Sequence, residues 1–323
     1  MSRGALTVAV LLLPLLAQAD GPGPAPGPAA SPPPSFPSLV EEVHLTITVT
    51  DARGRPVTDL RPEEFVVMEN GRAQRVQLFA RAVETDTPGD DKRRDALAVD
   101  LGILFDTSES MLNELKATQQ AAVRFLETLP RARELITVFF DEEIRVSQYN
   151  SENQQGLFER IHSAKGGGNT ALYDAMAVYL SRIQGASGRK TLVLFTDGED
   201  TRSELNVSEV VRLVRASPVT IYPISFNRAL VAGSGRAARA NAFLAHMAEL
   251  TGGKVFSPRS SRDLSGIYAR IIDELASQYV LGYVSDDLRR DGAFRKLKVE
   301  VARPELKVRC RSGYYAPAGV VAP

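Results

Sequence analysis

The chain has 323 residues, 44% of them apolar and 24% charged, enough to bury one large or two medium domains. Its 39 Lys and Arg residues balance 39 Asp and Glu residues, which excludes capture of nucleic acid or an acidic membrane by net charge. A single cysteine, Cys310, excludes an internal disulfide, so the fold must stand on its core.

Residues 1–19 have the form of a signal peptide, with Arg3, an apolar run over 5–16 and Ala17-Gln18-Ala19 as a small-x-small cleavage site. That run contains Pro14 and is too short for a membrane span, and no later run reaches the necessary length. The expectation is an exported protein, periplasmic or extracellular, with no membrane span after signal cleavage. Residues 20–38 are almost wholly Gly, Pro, Ala and Ser, a composition that cannot pack a core and reads as a spacer.

From Val43 the pattern alternates: Val43, Leu45, Ile47 and Val49 on one face, His44, Thr46, Thr48 and Thr50 on the other. His44 thus stands on the polar face with no second histidine near it, and no metal role is assigned to it. Residues 65–69 and 74–79 around Asn70-Gly71 predict a hairpin with a tight turn. The polar, mixed-charge stretch 85–95 lacks periodicity and reads as a boundary.

Between 96 and 277 apolar strands alternate with amphipathic helices, the grammar of a mostly parallel sheet covered on both faces. Strands are predicted at 99–105, 135–140, 144–149, 191–196, 219–225 and 254–256, and helices at 111–129, 154–161, 171–183, 204–216, 238–250 and 261–275. Only Asp141-Glu142-Glu143 separates the second strand from the third, so that pair must be an antiparallel hairpin at a sheet edge. The tail returns to strand patterns at 279–284, 294–301 and 306–311, where Leu306, Val308 and Cys310 share one face and make Cys310 a buried, inert thiol. Neither terminal β region has enough strands to stand alone. Residues 39–84 and 279–316 are therefore expected to form one small β-sandwich, with an α/β domain of residues 96–277 inserted in it.

The chemistry concentrates where the first α/β strand ends. Its apolar run stops at Asp106, and Ser108 and Ser110 follow at alternate positions, where open α/β sheets carry their ligand loops. Thr170, in Gly166-Gly167-Gly168-Asn169-Thr170, and Asp197, in Thr196-Asp197-Gly198, supply further oxygens from two more loops. Three hydroxyls and two carboxylates suit a hard divalent cation. The alternative is that these are ordinary turns and caps, with Ser108 or Ser110 capping the helix that starts near Met111. Asp100 interrupts the first strand, which then either starts later or holds this acid at its outer end. Glu109, Glu199 and Asp200 read as solvated acids.

The Asp-x-Ser-x-Ser of Asp106, Ser108 and Ser110, the threonine of Gly-Gly-Asn-Thr-Ala-Leu-Tyr-Asp-Ala and the acid of Phe-Thr-Asp-Gly resemble the metal-ion-dependent adhesion site (MIDAS) of von Willebrand factor type A (VWA) domains. The flanking Asp-Leu-Arg-Pro-Glu-Glu-Phe, Tyr-Val-Leu-Gly-Tyr and Gly-Tyr-Tyr look like a secreted bacterial subgroup of that family. The resemblance implies a Rossmann-like, doubly wound fold, an Mg²⁺ (or Mn²⁺) ion on Asp106, Ser108, Ser110, Thr170 and Asp197, and capture of an Asp or Glu from a protein ligand. It also implies coupling of ligand binding to movement of the last helix, 261–275.

Enzyme chemistry has less support. An acid ending the first strand also begins aspartyl phosphohydrolase mechanisms, but Ser108 stands where a second acid would serve as general acid. His44, His162 and His246 adjoin no motif, and no Gly-x-Ser-x-Gly elbow, phosphate-cradling loop or His-x-x-x-His pair occurs. The competing non-catalytic reading is a structural assembly protein whose metal only stiffens loops.

Overall fold

The computed structural model describes residues 42–82, 90–128, 132–149, 154–183, 188–226 and 235–319. The predicted signal peptide and spacer lie outside the described residues. The N-terminal strands are β1 (Glu42–Thr50), β2 (Phe65–Glu69), β3 (Arg72–Gln74) and β4 (Val76–Arg81). Next come β5 (Val99–Asp106), β6 (Glu134–Phe140), β7 (Ile144–Tyr149), β8 (Arg189–Thr196) and β9 (Val219–Ser225). The tail supplies β10 (Tyr279–Val284), β11 (Phe294–Val301), β12 (Lys307–Arg309) and β13 (Gly313–Tyr315). Helices are α1 (Asp91–Leu97), α2 (Leu112–Thr128), α3 (Gln154–Ser163), α4 (Leu172–Arg182), α5 (Val207–Ala216), α6 (Gly235–Thr251) and α7 (Leu264–Ala276).

Strands from both ends of the chain mix in two four-stranded sheets, ordered β12-β1-β10-β4 and β13-β11-β2-β3. Their inward faces share one apolar cluster that includes Leu45, Ile47, Phe65, Val67, Tyr279, Leu281 and Leu297. The tail tyrosines also hold polar groups inside this layer. Tyr279 donates to the Val57 carbonyl (3.0 Å) and accepts from the Leu60 amide (3.1 Å). Tyr283 (2.7 Å) and Tyr314 (2.9 Å) both donate to the buried carboxylate of Glu69. That accounts for three of the four tyrosines of the two tail motifs; the fourth, Tyr315, packs edge-on against Phe294.

The expected hairpin forms, with Asn70 (φ 48°) and Gly71 (φ 80°) in the left-handed turn that such a connection needs. Its second strand differs from expectation. Residues 72–74 pair with β2, whereas 76–81 cross to pair with β10 in the other sheet, so the predicted single strand turns the corner of the sandwich at Arg75. The stretch expected to be a linker contains α1, capped by Asp90, whose carboxylate accepts from the Arg93 amide. Its Ala96 and Leu97 pack on Ala80 and Val280, so the mixed charges are those of a capped helix on the sheet. Residues 83–89 lie outside the described residues.

The α/β layer is a five-stranded sheet ordered β7-β6-β5-β8-β9, parallel except for the antiparallel edge strand β7. Helices α2, α3 and α7 cover one face and α4, α5 and α6 the other, as the doubly wound reading requires. Alternation along β5 sends Leu101, Ile103 and Phe105 to the first face and Leu104 to the second. Phe105 stacks between Phe139 (4.8 Å) and Phe195 (5.2 Å), an aromatic floor directly under the strand ends. The strand expected at 254–256 reduces to a single parallel bridge of Phe256 with Ile224. Cys310 is packed against the sandwich core, and burial pushes its thiol up to about 11, which keeps it protonated and inert.

Candidate functional site

β5 lies between two parallel neighbours, so the loops after β5 and β8 leave the same edge of the sheet, and the loop between α3 and α4 packs against them as the second of three. Asp106 ends β5 and is 2% exposed. Its Oδ1 accepts from the Ser108 amide (3.0 Å) and the Ser108 hydroxyl (2.5 Å), and its Oδ2 accepts from the Thr196 hydroxyl (2.6 Å). Ser108 Oγ lies 3.3 Å from Ser110 Oγ, which stands at the exposed rim. Burial raises the Asp106 carboxyl to about 7 against the lowering effect of these hydrogen bonds, and the like charge of Asp197 pushes it the same way. Among the described residues no Lys, Arg or His forms an ion pair with Asp106 or Asp197.

Ser108 precedes a 3₁₀ turn at Glu109–Met111, but its side chain makes no capping bond there; its hydroxyl donates to Asp106.

The second loop is tied to the first through the backbone. Gly167 N–H donates to the Thr107 carbonyl (2.8 Å), and Glu109 N–H to the Gly168 carbonyl (3.1 Å). Gly166 lies so close to this loop that a Cβ there would fall 2.1 Å from the Thr107 carbonyl oxygen. The third loop closes on the second: the Thr170 amide donates to the Thr201 hydroxyl (2.9 Å), and the Thr170 carbonyl accepts from the Thr201 and Arg202 amides. Asp200 and Ser203 both accept from the Tyr173 amide in the first turn of α4, while Asp174 accepts from the amides of Glu204 and Leu205. Asp200 is thus a helix-docking residue, and the acid of the Leu-Tyr-Asp-Ala segment is its counterpart.

Of the five residues singled out in sequence, Asp106, Ser108 and Ser110 form one hydrogen-bonded chain. Thr170 and Asp197 stand on the two adjoining loops with no direct hydrogen bond to those three; Asp197 instead accepts from the Glu199 amide (3.0 Å). Sequence reasoning missed Thr196, whose hydroxyl also accepts from the Gly198 amide (2.9 Å) and so fixes the third loop against Asp106. Its adjacency to Asp197 was the available signal. It also missed Thr107, Asp141 and Arg145, where Thr107 Oγ1 donates to Asp141 Oδ2 (2.9 Å) and accepts from Arg145 Nη2 (3.1 Å).

The profile of the von Willebrand factor type A domain matches residues 100–270. No curated protein matches the chain. Among solved structures, a von Willebrand factor type A protein from Catenulispora acidiphila is 12% identical, covering 88% of this chain and 76% of its own at a TM-score of 0.45. BatB from Bacteroides thetaiotaomicron is 16% identical, covering 56% of this chain and 100% of its own at a TM-score of 0.43. The vWF domain of the type V pili tip protein Mfa5 from Porphyromonas gingivalis is 12% identical, covering 54% and 94% at a TM-score of 0.42.

Proposed function

Because the chain belongs to the von Willebrand factor type A domain family, we propose that it is a non-catalytic, metal-dependent protein-binding module that captures an acidic side chain of a partner. Domains of this family are in general protein-interaction modules. Asp106, Ser108, Ser110, Thr170 and Asp197 are the residues that would hold Mg²⁺ or Mn²⁺. When bound, the ion supplies an electrophilic position for a carboxylate from the partner.

The observation that carries this reading is the state of Asp106: a buried carboxylate given two hydroxyl donors and one amide donor, a second acid nearby and, among the described residues, no protein cation. A buried charge left this way is costly unless something positive joins it. The side chains of the five candidate ligands offer only oxygen, which fits a hard ion. Among the described residues no group of three or more His, Cys, Asp or Glu gathers to hold a metal, so the hydroxyls would have to complete the set and leave much of the ion's charge for the ligand. The signal-like residues 1–19 support export as the setting, and among the described residues no helix is long and apolar enough to cross a membrane.

Calorimetric titration of Mn²⁺ and Mg²⁺, with acetate present to stand for the partner's carboxylate, tests the proposal. Saturable binding by the wild type and its loss in Asp106→Ala is the expected result. Equal heats in both proteins would reject the site.

A further inference from the structure

The turn between β6 and β7 is more than a hairpin connector. Thr107 sits between two of the proposed ligands, is fully buried, and uses every polar group it has. Its amide donates to the Phe140 carbonyl (2.8 Å), its carbonyl accepts from Gly167, and its hydroxyl meets the Phe140 carbonyl (3.0 Å), Asp141 and Arg145. The Asp141 carboxylate also accepts from the Glu143 amide (2.9 Å) and from Arg145 Nη2 (2.5 Å). The Asp141 carbonyl accepts from the Ala171 amide (2.9 Å), the residue next to Thr170. Glu142 completes the contact, taking the amide (3.1 Å) and side-chain nitrogen (2.8 Å) of Asn169, on the other side of Thr170.

One turn therefore holds the neighbours of Asp106 and Ser108 through Thr107, and brackets Thr170 through Ala171 and Asn169. We infer that the Thr107–Asp141–Arg145 clasp, with Glu142 beside it, is a positioning element that sets the separation between the first and second ligand loops. None of these residues is itself a proposed ligand. The inference rests on the metal-binding reading of the site, and it adds which residues outside the donor set tune its affinity. Arg145 plays two parts: it satisfies the Asp141 carboxylate, which it holds below its usual range against desolvation, and it fixes the orientation of the Thr107 hydroxyl.

The test compares full-length Thr107→Val, Thr107→Ser and Asp141→Asn by Mn²⁺ titration and by amide hydrogen exchange of the metal-free protein. Thr107→Val and Asp141→Asn are expected to weaken Mn²⁺ binding roughly tenfold, as removal of outer-shell partners does, while Thr107→Ser, which keeps the hydroxyl, stays near wild type. The double variant should cost less than the sum of the two single ones, since both break the Thr107–Asp141 contact. Exchange should quicken together at the amides of Glu109, Gly167 and Ala171 and stay unchanged in β1. Wild-type Mn²⁺ affinity in Thr107→Val and Asp141→Asn would overturn the inference while leaving the metal reading intact. Failure of the wild type to bind Mn²⁺ would instead remove the metal reading, and unchanged exchange in the two loops would then remove the clasp as well.

Discussion

The two ends of β5 treat a buried acid in opposite ways. Asp100, near the start, is 3% exposed and is met by Arg133 (2.6 Å) and by Lys190 (3.2 Å), whose side chain is wholly buried. Asp106, at the other end, is equally buried and, among the described residues, is met by hydroxyls and an amide, with Asp197 adding like charge. Asp100 is neutralised by the chain itself and serves the fold. Asp106 has no basic partner among the described residues, which is the arrangement the proposed cation would complete. A buried acid with its own basic partners is therefore a structural residue, and the same acid surrounded by neutral donors is a candidate binding site.

The comparison can be broken from either end. The largest effect is expected at Asp100. Asp100→Ala removes the acid that Arg133 and the buried Lys190 ammonium share and should cost about 3–5 kcal/mol, read from urea unfolding. Asp106→Asn should do the reverse in metal-free protein above neutral pH, raising stability by on the order of 1–2 kcal/mol because an ionised carboxylate is no longer forced into a buried site. The same variant should lose metal binding.

A smaller, graded effect follows from pH. The Asp106 carboxyl is raised to about 7 in the folded protein from an ordinary value near 3.8, so the folded state keeps a proton that the unfolded chain releases. The contribution of this group to metal-free stability is full below the unfolded value and is lost as pH rises through the folded one, between roughly pH 4 and 7. Metal affinity should run the other way, falling about tenfold per unit as pH drops below 7. Titrations across that window would sharpen the contrast with Asp100. The smallest effect concerns Thr196. Thr196→Val removes a donor to the Asp106 carboxylate and should move the midpoint of that profile upward by about half a unit.

What sequence made legible was local. Period-two alternation exposed β1, apolar runs exposed β5, β6, β8 and β9, and Asp106, Ser108 and Ser110 declared themselves by spacing. The three-residue connection forced the β6–β7 hairpin to the sheet edge. What stayed hidden depended on contacts between distant residues. Arg133 and Lys190 reach Asp100 from 33 and 90 residues away, so the sequence showed only an acid interrupting a strand. Thr196 likewise reaches Asp106 from 90 residues away. The corner at Arg75 is set by the pairing of β4 with β10 rather than by any break in hydrophobic pattern. The helix α1 was hidden because its stability comes from the Asp90 cap and the packing of Ala96 and Leu97 alone, not from a long amphipathic period.

The most direct test of the contrast is thermal unfolding of the wild type and Asp106→Asn at pH 8, each without divalent metal and with saturating Mg²⁺. The account predicts that the order reverses: the variant is the more stable protein without metal, and the wild type overtakes it when Mg²⁺ binds the folded state. A wild type that is insensitive to Mg²⁺, or the more stable of the two in both conditions, would contradict the claim that Asp106 is held for a cation.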